Sequence, residues 1–198
     1  MNRKIIEFFG LSHAGKTYKL LKLEAQGKNY YKYTDTTKLK RLFYFIVWLL
    51  KHPYRTAYLF YKMNLNAMKG SGLRLILMRN SFLAGVLAKS EILNKRTGTI
   101  YTEDLGLQSL FAIFHKKTTE KEVIKVINML PIADKVMIIE ADMKLIKERF
   151  KKGRYPYEEC GEEIAKAVME VCFINYPLFK KVIEESLKVN KNENSRVI

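Results

Sequence analysis

Ile5, Ile6, Phe8 and Phe9 form an apolar run broken only by Glu7, and the next apolar residues, Tyr18, Leu20, Leu21 and Leu23, fall on helical spacing. The first run predicts a short buried strand over residues 3–9. The second predicts a helix over 16–26 that Gly27 stops. Residues 29–34 are rich in tyrosine and predict a second strand, which ends where Asp35 or Thr36 can cap a helix. Three helices follow, over 38–51, 54–68 and 73–96, punctuated by His52-Pro53 and by Gly70-Ser71-Gly72. Residues 97–102 predict a third strand, with Glu103-Asp104 at its C-terminal end, and 105–116 a further helix. Thr119 and Glu122 have the spacing of a capping box and open a helix that ends before Pro131. The apolar run 135–141 predicts a fourth strand, buried on both faces, after which Asp142 caps a helix over 143–150. Two more helices are expected over 158–172 and 178–189, and Arg196-Val197-Ile198 reads as the start of another strand.

Strands alternating with helices make the fold class α/β, a parallel sheet with helices on both faces and its site at the carboxyl ends of the strands. No linker, repeat or boundary interrupts the chain, so residues 1–198 form one domain. Three helices between strands 2 and 3 exceed what a crossover requires, and extra helices there can cover a second binding site. The aromatic residues Phe43, Tyr44, Phe45, Trp48, Tyr54, Tyr58, Phe60 and Tyr61 could stack a base or a sugar ring, and their helical spacing assigns them first to the core.

Between the first strand and first helix lies Gly10-Leu11-Ser12-His13-Ala14-Gly15-Lys16-Thr17, a Walker A sequence. Strand, glycine loop and helix are the context such a loop needs. Gly10 permits the turn, and Gly15 lets the backbone approach an oxyanion. The loop amides and helix N-terminus face the phosphates, Lys16 reaches the β- and γ-phosphates, and the Thr17 hydroxyl suits Mg²⁺. Glu103 and Asp104 can supply a metal-side acid and a base, in either order. Arg149, Lys151, Lys152 and Arg154 can supply cations to a transferring phosphoryl group if the loop closes.

Charge and composition narrow the partners. The net charge of +16 suits a polyanion: a nucleotide, an anionic membrane surface or a nucleic acid. No motif that reads nucleic acid accompanies the charge, so that class ranks last. The longest apolar run, 42–50, is too short to span a bilayer. No apolar run precedes the first strand, so no secretory signal is expected. Cys160 and Cys172 lack metal-ligand spacing and are expected as reduced thiols. A cytoplasmic location, peripheral to the membrane in one reading, follows.

These motifs resemble the nucleoside and nucleotide kinase branch of the P-loop proteins, above all thymidylate kinase and the deoxynucleoside kinases. The resemblance spans most of the chain and rests on Gly10 to Thr17, the acid ending strand 3, and Glu148-Arg149-Phe150-Lys151-Lys152-Gly153-Arg154. It implies a three-layer P-loop NTPase fold and an enzyme that uses ATP and Mg²⁺. The γ-phosphoryl group would move to a nucleoside, a nucleoside monophosphate or a sugar. It implies Lys16, Glu103, Arg149 and Arg154 as catalytic residues. Gly10, Ser12, His13, Ala14, Gly15, Lys16 and Thr17 would hold phosphates, with Thr17 and Asp104 on the metal. Asp35, Arg74 and Arg79 would meet the acceptor beneath a lid over about 149–159. The sequence departs from the pattern in three places. Glu103-Asp104-Leu105-Gly106-Leu107-Gln108 lacks the arginine that follows the acid and looks more like an Asp-Glu-Gly-x-x-Gln variant. Tyr33 to Thr36 lacks a Glu-Pro step, and Ser12-His13-Ala14 replaces a glycine. The alternatives are a nucleotide-binding module without phosphotransfer and a P-loop protein peripheral to a membrane or glycan.

Overall fold

The computed structural model describes residues 3–31, 36–67, 72–152 and 158–192. β1 (Lys4–Phe9) is the central strand of a three-stranded parallel sheet. β2 (Thr99–Glu103) lies on one side and β3 (Lys135–Ile138) on the other. Ile5 pairs with Ile100, and Phe8 with Met137. An isolated parallel bridge from Tyr30 to Tyr101 extends the sheet beyond β2. The rest of the predicted second strand, 32–34, lies outside the described residues, as does the predicted strand start at 196–198.

Among the described residues there are eight α-helices. α1 (Lys16–Ala25) follows the glycine loop. α2 (Lys38–Lys51), α3 (Pro53–Leu65) and α4 (Leu73–Leu93) fill the long connection to β2. The short α5 (Leu110–Ile113) and α6 (Glu120–Ile127) lead to β3. α7 (Met143–Lys152) and α8 (Glu162–Asn192) complete the set. Pleating sends Phe8 and Phe9 to opposite sides of the sheet. Phe8 packs with Leu20 of α1, Ile146 of α7 and Val168 of α8. Phe9 packs with Leu83 and Leu87 of α4, Ile113 of α5 and Phe179 of α8. Burial of each such side chain stabilises the fold by about 1.5–3 kcal/mol, which fixes β1 between two apolar clusters.

Several expectations change. The strand covered on both faces is β1, buried from Ile5 to Phe9. β3 instead borders the described sheet, and its Met137 is 37% exposed. The stretch 105–116 is a 3₁₀ turn (Leu107–Ser109) followed by α5, not one helix. At Gly106 only glycine fits, since a Cβ there would lie 1.7 Å from the Pro131 carbonyl oxygen. Thr119 is the N-cap of α6, but its side chain makes no capping bond. The Glu122 carboxylate accepts from Lys62 Nζ (3.0 Å) and Thr118 Oγ1 (3.1 Å), and the Lys62 bond holds its pKa below the usual carboxylate range. The same carboxylate also accepts the Thr119 backbone amide and lies 3.4 Å from the Thr119 hydroxyl, so the reciprocal half of the capping box is present and the cation from α3 adds to it. The two C-terminal helices are one, α8, with Pro177 inside it. A proline removes one amide, and core contacts on both sides, Cys172 before it and Phe179 after, carry the helix across. In the aromatic band Trp48 is buried, whereas Phe43, Tyr54 and Tyr61 are exposed, contrary to a core assignment.

Arg79 also departs from expectation. It is fully buried, and its guanidinium donates to the carbonyls of Met63 (2.8 Å), Ala112 (2.8 Å) and Ile113 (3.2 Å). These carbonyls end α3 and α5, where a helix leaves carbonyls without intrahelical partners. Arg79 therefore joins two helix C-termini instead of meeting a ligand.

Candidate functional site

The loop from Gly10 to Gly15 leaves the C-terminal end of β1 and turns into α1. Gly10 lies against the sheet, where a Cβ would come within 2.4 Å of the Ile139 carbonyl oxygen. His13 (φ 62°) and Gly15 (φ 101°) are left-handed, and together they curl the loop back over its own start. No side chain caps α1, and its first turn carries no acid. Its first amides thus keep their donors for an anion.

Lys16 is buried, and its ammonium donates to the carbonyls of Gly10 (2.7 Å) and Leu11 (2.9 Å). Burial lowers its pKa, while Asp104, Glu103 and Glu7 favour the charged form. Thr17 donates from Oγ1 to the Glu103 carboxylate, at 3.1 Å from one oxygen and 3.4 Å from the other. Tyr30, at the bridge beyond β2, donates to the same carboxylate (3.2 Å). From α7, Arg149 donates to the His13 carbonyl (2.9 Å). Loop, strand-end acid and helix arginine therefore converge although they are separated by up to 136 residues. Arg154 and Asp35 lie outside the described residues.

Asp104 has φ 56°, a left-handed conformation that aspartate tolerates better than most residues. It lines two adjoining cavities. One, about 160 Å³, is bounded by Leu11, Ser12, Phe82 and Gln108 beside the loop. The other, about 550 Å³, is bounded by Arg74, Leu77, Met78, Ser81, Phe82 and Val86. Arg74 lies at this second cavity and pairs with Glu159 (3.0 Å). Of Arg74 and Arg79, the resemblance's acceptor arginines, Arg74 borders this cavity and Arg79 does not.

Two buried charges were not singled out from the sequence. Glu7, fully buried in β1, accepts from the backbone amides of Leu107 (3.3 Å) and Gln108 (3.1 Å). Burial pushes its pKa up to about 7, against the pull of those amides and of Lys89. Lys89, buried in α4, donates to the Glu103 carbonyl and sits over the Tyr31 ring. Burial lowers its pKa, and Asp104 heads the carboxylates that favour its charged form. The signal was present: each is a charge inside an apolar run, and such a group is rarely buried unless partnered.

The folded-state pKa of Glu7 is raised, so the stability linked to its protonation is present below the unfolded value and lost as pH rises through about 7. Urea unfolding at pH 5 and pH 8 should show the wild type losing about 2 to 3 kcal/mol relative to Glu7→Gln. An identical pH dependence in both proteins would contradict this environment for Glu7.

The donor set fits Mg²⁺-nucleotide. The Thr17 hydroxyl and the Glu103 carboxylate, brought together here, are hard oxygen ligands, and Mg²⁺ commonly completes its shell with water and phosphate oxygens. No group of three or more His, Cys, Asp or Glu able to hold a metal occurs among the described residues, which argues against an all-protein cage there. Cys172 is buried with its thiol pushed up to about 12, and both cysteines are free. No described helix is long and apolar enough to cross a membrane. No family model, curated protein or solved structure matches the chain.

Proposed function

We propose that this chain is an ATP- and Mg²⁺-dependent phosphotransferase of the P-loop kinase type. The observation that carries the reading is the bond between Thr17 at the start of α1 and Glu103 at the end of β2. A P-loop threonine beside a strand-end carboxylate is the arrangement in which a protein holds the metal of a nucleoside triphosphate. Bound nucleotide would supply the transferable phosphoryl group. Lys16 would exchange its two loop carbonyls for phosphate oxygens, and Arg149 would stabilise charge on the transferring group from the opposite side of the loop.

The geometry favours roles for the two acids opposite to those the family resemblance implies. Glu103 is tied to Thr17 and serves the metal side. Asp104 opens on the 550 Å³ cavity and accepts a proton from an acceptor hydroxyl there. Mostly apolar walls with Arg74 at the rim suit an acceptor that has an apolar body and an anionic group. This is consistent with nucleoside monophosphates, and less with an uncharged nucleoside or a bare sugar.

Phosphotransfer from labelled ATP should be measured against nucleosides, nucleoside monophosphates and sugars, with Lys16→Ala as control. Transfer that the variant lacks supports the reading, and transfer that it retains contradicts it. Glu103→Gln should raise the Mg²⁺ concentration needed for half-maximal rate. Asp104→Asn should lower kcat with that requirement unchanged, and the reverse pattern would exchange the roles. Arg149→Ala should lower kcat by about a hundredfold, the scale of losing one preorganised donor. ATP binding with no transfer to any acceptor would favour the nucleotide-binding module.

A further inference from the structure

The face of α2 turned away from the core is apolar where a surface helix should be polar. Leu39 is 78% exposed, Phe43 57%, Ile46 45% and Leu50 76%, with Leu42 also exposed. At 3.6 residues per turn these five fall on one stripe, opposite the buried Trp48. Lys38 borders the stripe on one side, Lys40 and Lys51 on the other. The exposed apolar surface continues past the corner at Pro53 to Tyr54.

The cations beside the stripe are Lys38, Lys40 and Lys51, of which Lys51 is paired with the buried Glu91 (2.7 Å). From residue 36 to residue 90 the sequence holds ten lysines and arginines and not one aspartate or glutamate. A second copy of the chain would bring the same cations to the same stripe, and like charges would oppose the pairing. A surface that takes an apolar stripe and a row of cations together is an anionic lipid interface. The stripe enters the acyl boundary while the lysines meet phosphates.

We propose that α2 docks the protein on anionic lipid bilayers, lying in the plane of the interface without crossing it. This inference uses no residue of the phosphate loop and holds whether or not the chain transfers phosphate.

The test is flotation with vesicles of phosphatidylcholine alone or with about a third phosphatidylserine, across a salt series. Wild type should float with the anionic vesicles, lose that binding as salt rises, and ignore the neutral ones. Leu42→Ser with Ile46→Ser should weaken partition by about tenfold, as should Lys38→Gln with Lys40→Gln. These side chains face solvent, so unchanged Tm and circular dichroism would show that the fold survives. The proposal is overturned by no flotation at low salt, by flotation indifferent to Leu42 and Ile46, or by a solution dimer that the apolar pair of substitutions dissociates. Displacement by duplex DNA that is equally insensitive to the apolar pair would overturn it in favour of a nucleic-acid surface.

Discussion

Lys16→Ala should abolish phosphotransfer, lowering kcat/KM by about a thousandfold or more while the protein stays folded. The lysine is buried against the carbonyls of Gly10 and Leu11, and no other described cation occupies the interior of the loop. Removing it deletes the charge that would meet phosphate and frees two carbonyls. The loss of two hydrogen bonds is offset by relief from burying an ammonium whose pKa is already lowered. Tm should therefore move little while activity disappears. Steady-state kinetics beside thermal unfolding separates the two effects. A large Tm drop would mean that Lys16 serves mainly to hold the loop.

Arg79→Met should behave in the opposite way. The substitution keeps volume but leaves the carbonyls of Met63, Ala112 and Ile113 buried without their donor. At about 1–3 kcal/mol for each unsatisfied group, partly relieved by rearrangement, the expected loss is about 3–5 kcal/mol. For a chain of this length that is a fall in Tm of about 10 °C. Whatever folded variant remains should bind acceptor with unchanged KM, because the guanidinium sits among helix ends rather than at the cavity Arg74 borders. A raised KM with an unchanged Tm would return Arg79 to the acceptor site.

The contrast between these residues shows what the sequence could carry. Gly10 to Thr17 is a local device: two glycines, a lysine and a threonine at fixed spacing, between a strand and a helix. Its backbone could be read without knowing the rest of the fold. Glu103 and Arg149 were also singled out, the first by its place at a strand end and the second by the basic stretch that it opens. Their convergence on Thr17 and His13 depended on a parallel sheet that the alternation of strands and helices already implied. Arg79 and Glu122 could not be read in this way. Each has an ordinary local interpretation, a charged helix edge and a capping box. Arg79 is claimed by the distant carbonyls ending α3 and α5, and Glu122 adds a distant bond to Lys62 to its local ones with Thr118 and Thr119. The gap expected between 172 and 178 closes into one helix because packing across α8 outweighs the amide missing at Pro177.

Glu7 and Lys89 lay in plain view but carried no motif. They form a polar seam beneath the site, reaching the amides that follow Gly106 and the carbonyl of Glu103. Positioning of Asp104 depends on this seam, since the chain turns there in a left-handed conformation between the Lys89 contact and the Glu7 contacts. The strand-end acid pair is thus read from sequence, while its orientation comes from charges buried elsewhere.

Calorimetric titration of ATP, with and without Mg²⁺, tests the phosphate loop most directly. Wild type should bind ATP with Mg²⁺, and both Lys16→Ala and chelation of the metal should weaken that binding by about tenfold or more. Absence of ATP binding by the folded wild type, or binding that Lys16→Ala leaves intact, would contradict the assignment of Gly10 to Thr17 as a nucleotide site.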